Sequence, residues 1–118
     1  MKRTVAYCDS NRSINAQRIA QRRGTSDVKA VAAIQIDNQR VVVTQWVFAP
    51  GAETGQHIHA FDYIVVPMTS GTLRLVEPEG IRDAQLFAGV SYGRAAGVNH
   101  NVINVNPYEF RFLEIELK

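Results

Sequence analysis

The chain has three histidines, and all of them fall in two short segments: Gly51-Ala-Glu-Thr-Gly-Gln-His57-Ile-His59 and Gly89 to Asn104, which contains Gly97, His100 and Asn104. Neutral imidazole is the side chain best suited to hold a first-row transition metal near pH 7. His57 and His59 are two residues apart, so on a strand they point the same way, with ~6.6 Å of chain between them. In the second segment Val98, His100, Val102 and Asn104 share one face by the same parity. With His100 turned inward beside the first pair, three ring nitrogens can approach one ion at ~2.0–2.1 Å and leave coordination positions open.

Such a site needs two strands brought together from about 40 residues apart, and the sequence supplies strands. From Val31 onward, runs rich in Val, Ile, Phe and Thr alternate with clusters of Gly, Pro, Asn and Asp. The runs are 31–36, 40–48, 56–66, 72–77, 81–87, 90–94, 98–105 and 108–117. Short strands at this spacing predict an all-β sandwich or barrel. In 41–48, Val42, Thr44, Trp46 and Phe48 share one face, and the other face is also largely apolar. That pattern predicts burial on both sides or a subunit interface. The last run changes hydrophobic phase at Phe112–Leu113, which predicts a bulge. Pro50-Gly51 and Gly97 are expected to turn the chain into the two histidine strands, and the Asn104 amide to fix a strand end.

Residues 1–29 read differently. Residues 1–30 carry seven Lys/Arg against two Asp, while the overall net charge is only +2. Ser10 or Ser13 could cap a short helix ending near Arg23, with Gly24 as its stop. A basic extension (1–29) followed by one β domain (30–118) is therefore expected. No stacking aromatics or nucleic-acid reader motif accompany the basic arm, which argues against nucleic acid as the partner. No apolar run reaches the length of a membrane helix. One cysteine, Cys8, excludes an internal disulfide and, with no apolar leader at the start, makes a cytoplasmic protein the expectation.

The glycine, histidine and asparagine framework resembles the cupin superfamily. Gly51, His57 and His59 match its first motif, G-x(5)-H-x-H-x(3,4)-E-x(6)-G. Gly89, Gly97, His100 and Asn104 match its second, G-x(5)-P-x-G-x(2)-H-x(3)-N, with Ala95 in place of the proline. The resemblance covers about residues 31–118. It implies a cupin jelly-roll barrel holding one divalent transition metal per subunit, with Fe, Ni, Zn, Cu and Mn all open, and a homodimer. The motif's glutamate falls at Tyr63 or Ile64. Aligning the next strand instead puts Asp62 in its place, as a fourth ligand, as a partner that orients a histidine, or as a surface charge. The phrases around His57–Pro67 and Tyr92–Asn104, and the C-terminal Phe-Arg-Phe-Leu-Glu-Ile-Glu-Leu-Lys, are similar to small single-domain cupins of the β-alanine degradation group.

The expected function is a metal-binding cupin that acts on or binds a small carboxylate metabolite. A non-catalytic sensor or carrier and an Fe(II)-dependent dioxygenase with a three-histidine site are the alternatives. If the chain is an enzyme, its type (dioxygenase, isomerase or hydrolase) stays open, as do its catalytic residues. Arg74 or, preferably, Arg94 would anchor the carboxylate, with Tyr63 and Tyr92 as polar groups of the pocket. Glu53, Glu77, Glu79 and Asp83 fall in or beside turns and are expected to face solvent.

Overall fold

The computed structural model describes residues 28–118, and in these the chain is all β. Nine strands run β1 (Val31–Asp37), β2 (Val41–Phe48), β3 (His57–Ile58), β4 (Asp62–Pro67), β5 (Gly71–Glu77), β6 (Gly80–Leu86), β7 (Tyr92–Arg94), β8 (Asn99–Asn104) and β9 (Phe110–Leu117). They form two antiparallel sheets, β1-β2-β9-β4-β7 and β3-β8-β5-β6, packed face to face as a jelly roll. The helix expected near residues 10–23 lies outside the described residues. No helix among the described residues is long and apolar enough to cross a membrane.

Alternation builds the core. Thr44, Trp46 and Phe48 of β2, Tyr63 and Val65 of β4, and Phe110 and Phe112 of β9 turn inward. They meet Leu73 and Leu75 of β5 and Val102 of β8 from the other sheet. Phe48 lies between Trp46 and Phe112, with ring centroids 6.1 and 5.5 Å away. The other face of β2 is half-buried, as its apolar residues predicted.

Two expectations need correction. The run 56–66 is not one strand: it breaks after Ile58, and its halves join different sheets. The bulge expected at Phe112–Leu113 is absent. β9 pairs without interruption with β2 on one side and β4 on the other. A central strand tied on both edges has no room for an extra residue, so parity continues from Phe110 and Phe112 and carries Glu114 into the interior. The register shift falls instead on the edge strand β1, between Ile34 and Ile36.

The matched asparagine closes one end of the barrel. Asn104 Nδ2 donates to the carbonyls of Phe48, Ala49 and Tyr108, at 2.9–3.2 Å. Its Oδ1 accepts from the backbone N–H and the side-chain amide of Asn106. The end of β2 and the turn after β8 are therefore tied together by one buried side chain.

Candidate metal centre and cavity

Before β3 the chain already runs beside β8. Gly51 N–H donates to Asn104 O, Asn104 N–H to Ala52 O, and Thr54 N–H to Val102 O. Glu53 bridges Ile103, while His57 lies opposite His100, so the register slips by one residue between them. Gly55 absorbs the slip with φ +90°, a conformation that suits glycine. Its N–H donates to Asn101 Oδ1 at 2.9 Å. Its carbonyl lies 2.8 Å from His57 Nδ1 and accepts from it. That bond fixes the His57 tautomer and turns its Nε2 lone pair inward.

The other two imidazoles complete the cluster. His59 is held by backbone bonds from its N–H to Val98 O and from Gly97 N–H to its own carbonyl. Gly97, at φ +99°, makes the turn that allows this. Nε2 of His59 lies 3.1 Å from Nε2 of His57 and 3.1 Å from Nε2 of His100. His59 and His100 are buried and His57 partly so. Nδ1 of His100 is buried and has no hydrogen-bond partner among the described residues.

Electrostatics keep protons off these rings. Burial lowers the His57 pKa, against a raising contribution from its Gly55 bond. Burial, then His57 and Arg94, brings His59 down to about 4. His100 falls to about 3 through burial, then His57, His59, Arg94 and Arg82. Three neutral imidazoles with nitrogens converging at this spacing suit a divalent cation. Two ligands at ~2.1 Å on adjacent positions of one ion stand ~3.0–3.4 Å apart. The residues present therefore fit the metal that the motif implies.

Asp62 is not brought to this cluster. It is exposed at the start of β4, and its Oδ1 accepts from Ala96 N–H at 2.9 Å. The next residue, Tyr63, which stands at the motif's glutamate position with three residues between it and His59, faces inward and is 2% exposed. Its ring stacks on His59, with centroids 3.8 Å apart and planes 15° apart. Its hydroxyl is buried with no hydrogen-bond partner among the described residues, and burial pushes its pKa up.

Two acids that the sequence did not single out do approach: Glu114 and Glu116 of β9 both group with His59, and Glu114 is the more buried. Its Oε2 is 3.8 Å from His59 Nε2, and its Oε1 accepts a 3.4 Å bond from the Trp46 indole. Burial and the nearby Glu116 push its pKa up to about 7, against the Trp46 bond. With His59 held neutral, this approach is not an ion pair. The inward parity of Phe110 and Phe112, extended two residues, was the available signal. The apolar Leu113, Ile115 and Leu117 masked it.

Beside the histidines lies a cavity of ≈ 460 Å³, counted out through its mouth. His57, His100, Trp46, Tyr63, Glu114 and Arg94 are among its walls, and Tyr92 also lines it. Arg94 makes one 3.5 Å contact with Glu77 through one nitrogen, which engages one of its five donors. Arg74 is committed elsewhere, to a two-point pair with Asp83 at 2.9 and 3.2 Å.

Glu53 corrects another expectation. It does not face solvent: it is 2% exposed, and its Oε1 accepts from Asn101 Nδ2 at 2.9 Å. The Gly55 slip thus hangs from a buried amide that itself rests on a buried carboxylate. Gly51 and Gly89, both at φ +82°, sit at the turns expected of them.

No family model matches the chain. It is 58% identical over 90 residues to the β-alanine degradation protein BauB of Pseudomonas aeruginosa, covering 76% of this chain and 95% of that protein. A crystal structure of a cupin domain from Bordetella pertussis is 56% identical, with TM-score 0.78, covering 80% of this chain and 99% of that one. The polyketide cyclase RemF of Streptomyces resistomycificus shares the fold at 20% identity, with TM-score 0.63 over 75% of this chain and 65% of that one. With the three histidines converging inside a jelly roll and these relatives alongside, the chain belongs to the small cupins, in the family that includes BauB.

Proposed function

We propose that the protein holds one divalent transition metal at His57, His59 and His100 and binds a small carboxylate metabolite in the adjoining cavity. The observation that carries this reading is the convergence of three proton-poor Nε2 atoms beside that cavity. The name of the BauB relative supports a setting in amino-acid catabolism of the β-alanine type. A divalent ion with three imidazole ligands keeps open positions, polarises a bound oxygen atom and, as iron, supports oxidation by dioxygen.

The chain's own residues do the rest. Gly55 O orients His57. Tyr63 packs against His59 and offers a hydroxyl to a ligand. Arg94, which meets Glu77 through one nitrogen, anchors a carboxylate at the cavity wall with its remaining donors among the described residues. The apolar walls, Val65, Leu73, Leu75 and Val102 among them, keep water away and limit the ligand to a small molecule.

The same reading makes the protein a cytoplasmic homodimer. Ile34 and Ile36 are exposed on the edge strand β1 and support pairing through that sheet. Light scattering at micromolar concentration should give twice the chain mass, and a monomer rejects the pairing.

Metal-loaded protein is the material for the functional test. Small carboxylates are titrated by calorimetry, and oxygen uptake is followed with the Fe(II) form. Ligand-dependent oxygen consumption identifies a dioxygenase. Tight binding without turnover identifies a sensor or carrier. Absence of binding by any small carboxylate rejects the reading.

A further inference from the structure

The three-histidine centre leaves Glu114 without a task. This side chain is 4% exposed and lines the cavity. A carboxylate offers about four acceptor sites, and among the described residues Glu114 meets one long bond, 3.4 Å from the Trp46 indole. Direct ligation is a poor fit. Glu114 groups with His59 and Glu116, and not with His57 and His100 around a common point. Its carboxyl therefore faces whatever occupies the cavity.

The surroundings say what that occupant carries. Trp46, Tyr63, Tyr92 and Phe112 line the same cavity. A carboxyl framed by aromatic rings is an environment for an ammonium group, which pairs with the acid and lies against the ring faces. The buried Tyr63 hydroxyl, which has no hydrogen-bond partner among the described residues, independently marks this wall as suited to a polar ligand.

Sheet register then places a counterpart. Tyr92, Val65 and Glu114 form one row across β7, β4 and β9, and Arg94, Tyr63 and Glu116 form the next. Glu114 and Arg94 are thus two strand spacings and one row apart, roughly 12 Å between backbones. Both side chains line the cavity that spans this gap.

We propose that the cavity binds a small zwitterion, with its ammonium on Glu114 against the Trp46 and Tyr63 rings and its carboxylate on Arg94. The carboxylate end rests on the function proposed above; the ammonium end is new.

The test is calorimetry on the metal-loaded full chain with matched pairs: glycine and acetate, 4-aminobutanoate and butanoate, 5-aminopentanoate and pentanoate. In at least one pair the amino compound should bind about tenfold tighter. In Glu114→Gln that gain should collapse while metal stoichiometry and carboxylate binding persist. Equal binding within every wild-type pair overturns the proposal without needing any variant to fold. So does a gain that survives in Glu114→Gln, and so does loss of the metal from that variant, which would put the carboxyl on the ion. If neither member of any pair binds, the proposed function fails along with it. If carboxylates bind and the amine adds nothing, only the zwitterion fails.

Discussion

Tyr63 lies flat on the imidazole of His59, with ring centroids 3.8 Å apart and planes 15° apart, and its hydroxyl finds no partner among the described residues. The stack and the hydroxyl are separable. Tyr63→Phe keeps the stack and removes a buried polar group, so stability should change by less than about 1 kcal/mol. The same variant should bind a small carboxylate ligand more weakly, by about 1 kcal/mol. Tyr63→Ala opens a cavity in the core and should cost about 3–5 kcal/mol. Chemical denaturation and calorimetry read the two effects. Equal ligand affinity in Tyr63→Phe would make the hydroxyl a bystander.

Asn101 holds the turn that aims His57. Its Oδ1 accepts from Gly55 N–H and its Nδ2 donates to Glu53. Asn101→Ala breaks both bonds at a buried site and should cost about 2–4 kcal/mol. Metal affinity should fall about 10–100-fold, as is usual when the partners that orient a ligand are lost. A competitive chelator titration measures it, and unchanged affinity would show that His57 is aimed without Asn101.

Acid should destabilise the metal-free protein. His57, His59 and His100 all have folded pKa values below the ordinary imidazole value, with His59 at about 4 and His100 at about 3. Unfolding therefore takes up protons below pH ~6.5, so stability falls as pH drops through that window. Glu114 acts oppositely. Its pKa is raised to about 7, so its contribution is present in acid and lost as pH rises through 7. Three histidines outweigh one carboxyl, and the melting temperature of chelator-treated protein should be lower at pH 5 than at pH 7. A higher value at pH 5 would contradict the placement of the histidines.

Gly71 begins β5, paired with Leu86 of β6, and its surroundings are crowded. A Cβ there would stand 2.7 Å from Asn106 Oδ1 and 2.7 Å from the Tyr108 hydroxyl. Both atoms are engaged, Asn106 with Thr72 N–H and Tyr108 with Ser70 O. Gly71→Ala should cost about 1–3 kcal/mol and leave metal stoichiometry intact. A neutral effect on thermal melting would mean the Asn104–Asn106 corner yields.

The jelly roll was legible because alternation and turn residues report directly on strands. His57, His59 and His100 were legible because glycine spacing and parity together locate them. Asp62 misled because it is close in sequence to His59, while the chain breaks between them and passes into the other sheet. Glu114 was hidden for a different reason. Leu113, Ile115 and Leu117 invited an inward reading. The half-buried outer face of β9 accommodates Leu113 and Ile115 and leaves the polar residue inside. Glu53 was hidden because its burial depends on Asn101, a contact 48 residues distant in sequence.

The central claim is that His57, His59 and His100 bind one ion. Protein purified without an immobilised-metal column, stripped by chelator and titrated with Co(II), tests it most directly. Uptake should saturate at one equivalent per chain with visible d–d bands, and should be lost in His57→Ala with the fold retained. No uptake by the wild type, or the same uptake and spectrum in His57→Ala, would contradict it.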